Sequence, residues 1–252
     1  IADFKARKNG WLLEKEIIKK EKIKVLFVGG GIKSAIGLSH YLAIALEEQI
    51  SLIGGSFSLD KKENLNTASR YNIDPDCVYS DWREMLEHFK GKADAVIVLT
   101  PTPDHYRIVK SSLKAGFDVI SEKALTTSYE STKELVDLAA QLGRFLFVTF
   151  NYTGYPAVRE IKALISQGAI GKVLQVNIEM PQETFLIDGS SPQEWRKVDY
   201  EIPTVSLDLG VHVLNMVSFL TDLVSPVKIL SSSGSNSGMS NVVDNVNCLV
   251  EY

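Results

Sequence analysis

The chain has 252 residues, 45% of them hydrophobic and 23% charged, and its formal net charge is −4. This length allows one large or two ordinary domains, and the slightly acidic balance gives no support for a nucleic-acid-binding face. No apolar run reaches the ~18 residues that a membrane span needs, and Cys77 and Cys248 stand in no metal-ligand spacing. We therefore predict a cytoplasmic protein without a membrane span or a metal site.

Residues 1–22 are predicted to be a solvated leader, after which strands and helices alternate up to residue 150. Six apolar, β-rich runs carry this pattern: KIKVLFV, ISLIGGSF, CVYS, ADAVIVLT, FDVISE and RFLFVTF. Continuous apolar strands are typical of sheets that are buried on both faces, and intervening helices indicate parallel pairing. Residues 23–150 are therefore predicted to form a doubly wound, Rossmann-type α/β domain that binds a dinucleotide.

The pattern changes from residue 151, where we predict a second domain that extends to residue 252. It begins with a helix over PAVREIKALISQ, a strand over KVLQVNIEMP (172–181) and a polar loop up to residue 203, and it ends with strands over PVKILSSSG and NVVDNVNCLVEY. Strands with little helix between them favour an α/β domain with an open, largely antiparallel sheet. Since the first residue is Ile and the last run is an unfinished strand pattern, we expect this domain to be incomplete at its carboxyl end.

The segment VGGGIKSAIG joins the first predicted strand to the first helix. Glycines at Gly29, Gly30 and Gly31 allow a tight turn and a close approach to a pyrophosphate, which the N-terminus of the next helix attracts. Ser34 replaces the third glycine of the G-x-G-x-x-G pattern, and Gly37 is placed to restore the close helix–strand packing. Because the turn lies between a buried strand and a helix, it predicts a nucleotide site rather than an ordinary turn.

The end of the second strand, GGSFSLDKK, does not distinguish NAD from NADP. An acidic residue at this point holds the ribose hydroxyls of NAD, and an arginine accommodates the 2′-phosphate of NADP. Ser56 and Ser58 stand here instead, Asp60 lies further along, and Lys61 and Lys62 face either a phosphate or solvent. Both cofactors remain open, and we favour NAD.

Five short motifs occur in the order VGGGIKSAIGLSH, TPTPDH, SEKAL, NYTGYP and LDLGVH. From residue 23 to the end, the chain thereby resembles the Gfo/Idh/MocA oxidoreductases, which are named after glucose-fructose oxidoreductase and inositol dehydrogenase. The resemblance implies a Rossmann domain and a C-terminal α/β domain whose open sheet forms homodimers or homotetramers. It also implies that NAD or NADP oxidises or reduces a carbon of a sugar, nucleotide-linked sugar or cyclitol.

The resemblance also implies a set of site residues. The family's E-K-P motif matches Glu122, Lys123 and Ala124, and its lysine lies at the reacting carbinol. The D-x-x-x-H motif matches Asp208 and His212: the histidine exchanges a proton with the substrate hydroxyl, and the aspartate assists it or binds substrate. The remaining matches are cofactor contacts at Thr100, Pro101, His105 and Glu122, and substrate contacts at Asn151 and Tyr152. Ser58 is a further candidate cofactor contact, because it follows the end of the second strand.

Ala124 departs from the family pattern, which has proline after the lysine and often a cis peptide bond. A cis bond costs about 2.5–4 kcal/mol before a residue other than proline, against about 0.5–1 kcal/mol before proline. We therefore expect Lys123 to be presented on a trans turn.

The residue chemistry agrees with these assignments independently. Hydride transfer from an alcohol needs a base for the hydroxyl proton and a positive group at the developing alkoxide. His212 suits the first role, and Lys123, at the carboxyl end of a parallel strand, suits the second. Asp208 and His212, four residues apart, share one face of a helix.

Each candidate also has an ordinary alternative, which the sequence leaves open. Lys123 could instead be a solvated lysine that pairs with Glu122, and Asp208 could be a helix cap. His212 could be a core residue whose ring nitrogens are hydrogen-bonded within the protein. His105 is otherwise a surface residue at a helix start. In the long loop, Trp195 and Arg196 either bind substrate or pin the loop. A non-catalytic nucleotide-binding protein and an NAD-dependent glycosidase are accordingly the alternatives to an oxidoreductase.

Overall fold

The computed structural model describes residues 21–183, 186–187, 192–237 and 242–252. Most of the predicted leader therefore lies outside the described residues. The strands are β1 (Ile23–Gly29), β2 (Ile50–Ser56), β3 (Ala95–Leu99), β4 (Asp118–Ser121), β5 (Leu146–Val148), β6 (Lys228–Gly234) and β7 (Asn245–Glu251). The helices are α1 (Gly37–Leu46), α2 (Lys61–Arg70), α3 (Trp82–Phe89), α4 (Thr102–Lys114), α5 (Tyr129–Leu142), α6 (Pro156–Ser166) and α7 (Val211–Thr221).

Five strands form a parallel sheet in the order β2-β1-β3-β4-β5, and β6 and β7 form a separate antiparallel pair. This arrangement confirms the predicted fold class, a Rossmann-type parallel sheet followed by a smaller antiparallel one. The β3 strand is buried along its whole length, as its continuous apolar sequence predicts. Among the described residues, no helix is long and apolar enough to cross a membrane.

Two predicted strands are wrong. The run CVYS makes a single parallel bridge, between Gly55 and Val78, and its first residue, Cys77, ends a 3₁₀ turn, Pro75–Cys77. The run 172–181 alternates like a strand but is mostly exposed, and it pairs with no other segment in the part of the chain that the structure describes. Alternation predicts a face to bury, but a strand also needs a hydrogen-bonded neighbour.

Short polar side chains fix where several helices begin. Asp60 accepts the Glu63 N–H at 2.7 Å, and Asp81 accepts the Arg83 N–H at 2.9 Å. Caps of this kind contribute about 1 kcal/mol each. The chain divides into two compact units, Ile1–Ala95 and Val96–Tyr252. The predicted glycine turn belongs to the first unit, and the predicted catalytic residues belong to the second.

Candidate active site

The glycine turn follows β1 with a backbone that other residues rarely adopt. Gly29 and Gly30 have φ angles of 82° and 74°. The Gly30 carbonyl accepts a hydrogen bond from the Tyr71 hydroxyl at 3.1 Å, and the Tyr71 ring stacks on Tyr41. Ser34 Oγ accepts the N–H groups of Ile36 and Gly37, both at 3.3 Å, so this serine organises the start of α1.

The atoms around Gly31 and Gly37 leave no room for a Cβ at these two positions. A Cβ at Gly37 would lie 2.2 Å from the Gly30 carbonyl oxygen, and a Cβ at Gly31 would lie 2.9 Å from Glu63 Oε1. Gly37 therefore provides the close helix–strand packing that the third glycine of the G-x-G-x-x-G pattern provides elsewhere and that Ser34 does not. A bare backbone cradle before a helix N-terminus fits the pyrophosphate of a dinucleotide.

Replacing Gly37 with alanine is expected to destabilise the first unit by about 1–3 kcal/mol, because the new Cβ collides with backbone rather than with a movable side chain. It should also weaken dinucleotide binding. Thermal unfolding with and without NAD measures both effects. Gly234→Ala in β6 is the matched control, since a Cβ there meets nothing within 4 Å. Equal melting temperatures for the two variants would contradict the packing assignment.

The carboxylate that follows the end of β2 is engaged in a helix cap through one of its oxygens. Asp60 caps α2 through its Oδ1 atom, and its own N–H donates to Ser58 Oγ at 3.2 Å. Ser56 is buried, with 7% of its surface exposed. Lys33 of the glycine turn pairs with Glu63 at 3.4 Å. Polar and charged groups of both signs thus lie near the strand end.

In the second unit, two cations converge on one carboxylate. Lys123 Nζ lies 2.7 Å from Asp208 Oδ1 and 2.7 Å from the Asp208 carbonyl oxygen. Arg196 Nε lies 2.7 Å from Asp208 Oδ2, and its second amino group lies 3.2 Å from Oδ1. The Lys123 and Asp208 side chains are only 17% and 16% exposed. The structure therefore brings together Lys123, predicted from β4, and Asp208, predicted from the helical run.

The pKa of Asp208 reflects this arrangement. Burial raises it, but the Arg196 hydrogen bonds and the Lys123 ammonium outweigh burial and hold the pKa below its ordinary value. Asp208 lies in a π turn, Ser206–Gly210, directly before α7. It is therefore a fixed anion between two cations, and it caps no helix.

His212 lies in the first turn of α7 and is 8% exposed. Its ring is in edge-to-face contact with Tyr152 at a centroid distance of 4.7 Å and with Phe150 at 5.9 Å. Burial lowers the pKa of His212 and the Lys123 ammonium lowers it further, against the opposing Asp208 and Glu122 carboxylates. The ring is therefore neutral at pH 7.

Within the described residues, the Asp208 carboxylate is hydrogen-bonded to Lys123 and Arg196 and not to His212. Both Asp208 oxygens are taken by Lys123 and Arg196, and His212 Nδ1 has no hydrogen-bond partner in the described part of the chain. Asp208 acts on His212 through its charge instead. The aromatic rings of Phe150 and Tyr152 hold the imidazole in place.

The Lys123–Ala124 peptide bond is cis, so the predicted trans turn is wrong. Contacts on both sides fix the turn. The Lys123 N–H donates to Glu122 Oε2 at 3.3 Å, its ammonium is bound to Asp208, and the Ala124 carbonyl faces a ring nitrogen of His105 at 2.8 Å. Glu122 Oε1 in turn accepts the Thr149 hydroxyl at 2.7 Å.

The TPTPDH segment begins α4 and is more buried than a surface helix start. Pro101 precedes the helix and is exposed, whereas His105 is fully buried with both ring nitrogens facing backbone carbonyls. Its side chain thus has no ring nitrogen left for a cofactor contact. Thr100 Oγ1 is buried without a hydrogen-bond partner among the described residues. Thr100 therefore has a polar atom that the described residues leave unused.

The remaining predicted residues divide between the cluster and its surroundings. Tyr152 contacts His212, whereas Asn151 is exposed and its carbonyl accepts the Gly154 N–H. Trp195 lies under the Arg196 guanidinium at 4.4 Å, and its Nε1 donates to Gln193 at 2.8 Å. The Trp195 ring therefore packs against one face of the Arg196 guanidinium.

Three residues of this cluster were not predicted: Thr149, Phe150 and Gln193. Thr149 and Phe150 end the run RFLFVTF, which the sequence analysis assigned to a strand as a whole. Their position at a carboxyl end, the same signal that indicated Lys123, was the available clue. Gln193 binds both Trp195 and Arg196 from within a loop that has no periodicity, so no local pattern distinguished it.

Replacing Arg196 with alanine is expected to lower kcat/KM about tenfold to a hundredfold, because a charged, two-pronged contact to Asp208 is lost. The pKa of Asp208 should rise, since the Arg196 hydrogen bond is the largest factor that lowers it. Steady-state kinetics measure the first effect. Arg83→Ala is the matched control, because Arg83 also stacks on a neighbouring tryptophan and binds an aspartate, but on the surface of α3.

A glycine turn after the first strand of a parallel sheet is typical of dinucleotide-binding domains, and the same chain carries the cluster of Lys123, Asp208 and His212. The chain belongs to the Gfo/Idh/MocA oxidoreductase family. The family profile described as an oxidoreductase family with an NAD-binding Rossmann fold matches residues 23–150, and the profile of the GFO/IDH/MocA C-terminal domain matches residues 158–252. The predicted resemblance is thereby confirmed.

Individual relatives are similar over most of this chain. The uncharacterised oxidoreductase YfiI of Bacillus subtilis is 27% identical over 96% of the chain and 64% of its own length. Levoglucosan dehydrogenase of Pseudarthrobacter phenanthrenivorans is 30% identical over 61% of the chain and 39% of its own length. An inositol dehydrogenase homologue of Azotobacter vinelandii, solved with NADH and myo-inositol, is 26% identical, with a TM-score of 0.81 over 92% of the chain and 61% of its own. The chain thus spans less than two thirds of the length of these relatives.

Proposed function

We propose that this protein is an NAD(P)-dependent oxidoreductase that interconverts a hydroxyl group and a ketone on a sugar, nucleotide-linked sugar or cyclitol. The observation that carries the proposal is the cluster of Lys123, Asp208 and His212, in which a part-buried ammonium acts on an imidazole whose pKa is lowered. Relatives whose names specify levoglucosan and myo-inositol support a polyhydroxylated substrate.

The residues divide the chemistry between them. The nicotinamide supplies the acceptor or donor of hydride when it is bound. Lys123 stabilises the negative charge that develops on the substrate oxygen, which is where a preorganised cation has its largest effect. His212 accepts the hydroxyl proton in the oxidation direction and returns it in reduction. Asp208 keeps the ammonium oriented and, by its charge, favours the imidazolium that forms.

We favour NAD as the cofactor and residues 23–150 as the domain that holds it, with residues 151–252 as the domain for substrate and oligomer contacts. The backbone cradle of the glycine turn supports a dinucleotide. We assign Ser58, whose Oγ accepts the Asp60 N–H, to the ribose, and Asp60 caps α2 through its Oδ1 atom. The exposed residues of β6 support a homodimer or homotetramer through this sheet, which light scattering tests.

The function is tested by following NADH and NADPH absorbance with a panel of aldoses, cyclitols and nucleotide-linked sugars, in both directions. Turnover with at least one member is the expected result. Absence of turnover, combined with cofactor binding in calorimetry, would favour the non-catalytic alternative. Release of a sugar from a glycoside without net change in NADH would instead indicate the glycosidase type.

A further inference from the structure

His105 occupies an unusual place for a histidine in the first turn of a helix. Its exposed fraction is 0%. Nε2 lies 2.7 Å from the Thr100 carbonyl oxygen, and Nδ1 lies 2.8 Å from the Ala124 carbonyl oxygen. Thr100 belongs to the loop after β3, and Ala124 belongs to the turn after β4. One ring therefore lies between the two loops that leave neighbouring strands at their carboxyl ends.

The protonation of the ring is consistent with a bridging role. Burial lowers the pKa of His105, against the Thr100 and Ala124 carbonyls and the Glu122 and Asp104 carboxylates, which raise it. A neutral imidazole has one N–H donor, on either nitrogen. Each tautomer finds a carbonyl acceptor here, so the neutral ring donates a hydrogen bond to one of the two loops. Both contacts are hydrogen bonds only when both nitrogens carry a proton, and that is the form that the Thr100 and Ala124 carbonyls favour.

The carbonyl that His105 holds is next to the residue that matters most for the proposed chemistry. Ala124 directly follows Lys123, and the Lys123 ammonium is fixed at its other end by Asp208 at 2.7 Å. The backbone side of the lysine is thus fixed by His105, and the side-chain end is fixed by the π turn. A displacement of about 1 Å at a reacting group can cost a hundredfold in rate.

We propose that His105 is a positioning residue that holds the Lys123–Ala124 turn against the Thr100 loop and so places the Lys123 ammonium. This inference rests on the proposed function. It assigns His105 a role within the protein, where the resemblance implied a direct cofactor contact. No other side chain among the described residues has recorded hydrogen bonds to both carbonyls.

The test compares His105→Ala and His105→Gln with Leu113→Ala. Leu113 is also buried in α4, with 1% of its surface exposed, but lies at the far end of the helix from Lys123. Loss of positioning is expected to lower kcat tenfold or more in His105→Ala, with a smaller change in KM, whereas Leu113→Ala should lower the melting temperature and leave kcat near the wild-type value. Glutamine retains one amide donor and should restore part of kcat.

The pH profile separates positioning from general destabilisation. Burial and the Lys123 ammonium lower the pKa of His212, which also faces the Asp208 and Glu122 carboxylates. If the ammonium moves away when His105 is removed, the pKa of His212 rises. The acid limb of kcat/KM then shifts to higher pH in the His105 variants and stays in place in Leu113→Ala.

A second measurement does not depend on turnover. Hydrogen–deuterium exchange of the peptide that spans residues 120–127 should be faster in the His105 variants than in Leu113→Ala at equal distance below the melting temperature. Unchanged exchange there, or an unshifted acid limb, would overturn the positioning role. If His105→Ala does not fold, His105→Gln decides both measurements. A wild-type protein without sugar turnover would remove the proposed function, while the exchange result would still decide the bridging role.

Discussion

Replacing Lys123 with methionine is expected to lower kcat/KM by about 10²–10³-fold, the usual effect of removing one preorganised group that stabilises developing negative charge. Methionine keeps much of the length of the side chain but has no charge and no donor. The change removes two hydrogen bonds to Asp208, yet Arg196 still pairs with that carboxylate, so no buried charge is left without a partner. Initial rates of NADH formation with the best substrate of the panel measure the effect.

Lys110→Met is the control for this experiment. Lys110 is paired with Glu134 at 2.6 Å on the surface between α4 and α5, so it shares the chemistry of a lysine–carboxylate pair without the burial of the Asp208 cluster. Its loss should leave kcat/KM unchanged within a factor of two to three, because exposed pairs contribute little. Equal losses of activity in the two variants would show that Lys123 has no special role.

Replacing His212 with alanine is expected to lower kcat by about 10²–10⁴-fold in the oxidation direction, the range that general base catalysis supplies. In the wild-type protein the pKa of His212 is lowered by burial and by Lys123. The neutral, proton-accepting ring therefore persists to a pH below the ordinary histidine pKa, and kcat/KM falls only when the pH drops through this lowered value. The variant should lose this acid limb.

Two controls strengthen the histidine result. His88→Ala removes an exposed imidazole of α3 and should preserve both the rate and the acid limb. Lys123→Met should move the residual acid limb to higher pH, because the ammonium no longer opposes protonation of the nearby ring. An acid limb that survives in His212→Ala would assign the titrating base to another group.

Position along the strands and helices made part of the site predictable. Lys123 follows a buried parallel strand, and ligands bind at such carboxyl ends, so its location could be inferred without coordinates. The four-residue spacing of Asp208 and His212 predicted a shared neighbourhood. The sequence could not show which residues the side chains of Lys123 and Asp208 would bind. Lys123 is 85 residues from Asp208, and no local periodicity encodes a contact at that separation.

The errors have the same physical origin. Alternation in residues 172–181 indicated a half-buried face, but pairing depends on a neighbour that the pattern does not specify. The spacing of Asp208 and His212 likewise did not reveal the partners of the carboxylate, because Arg196, 12 residues earlier in an aperiodic loop, binds it together with Lys123. Similarly, the burial of His105 depends on two carbonyls supplied by separate loops.

The hydrogen bonds of the Lys123 ammonium have a consequence for stereochemistry. An ammonium group has three N–H donors in a tetrahedral arrangement. Two of these donors are directed at the carboxylate and the carbonyl of Asp208. Within the described residues, this leaves the third N–H donor for the substrate. Because the Cε–Nζ bond and these two N–H bonds occupy three directions of the tetrahedron, the third N–H bond has a single direction. Lys123 can then donate to a substrate oxygen from one direction only. We therefore expect it to bind the oxygens of mirror-image carbinols unequally.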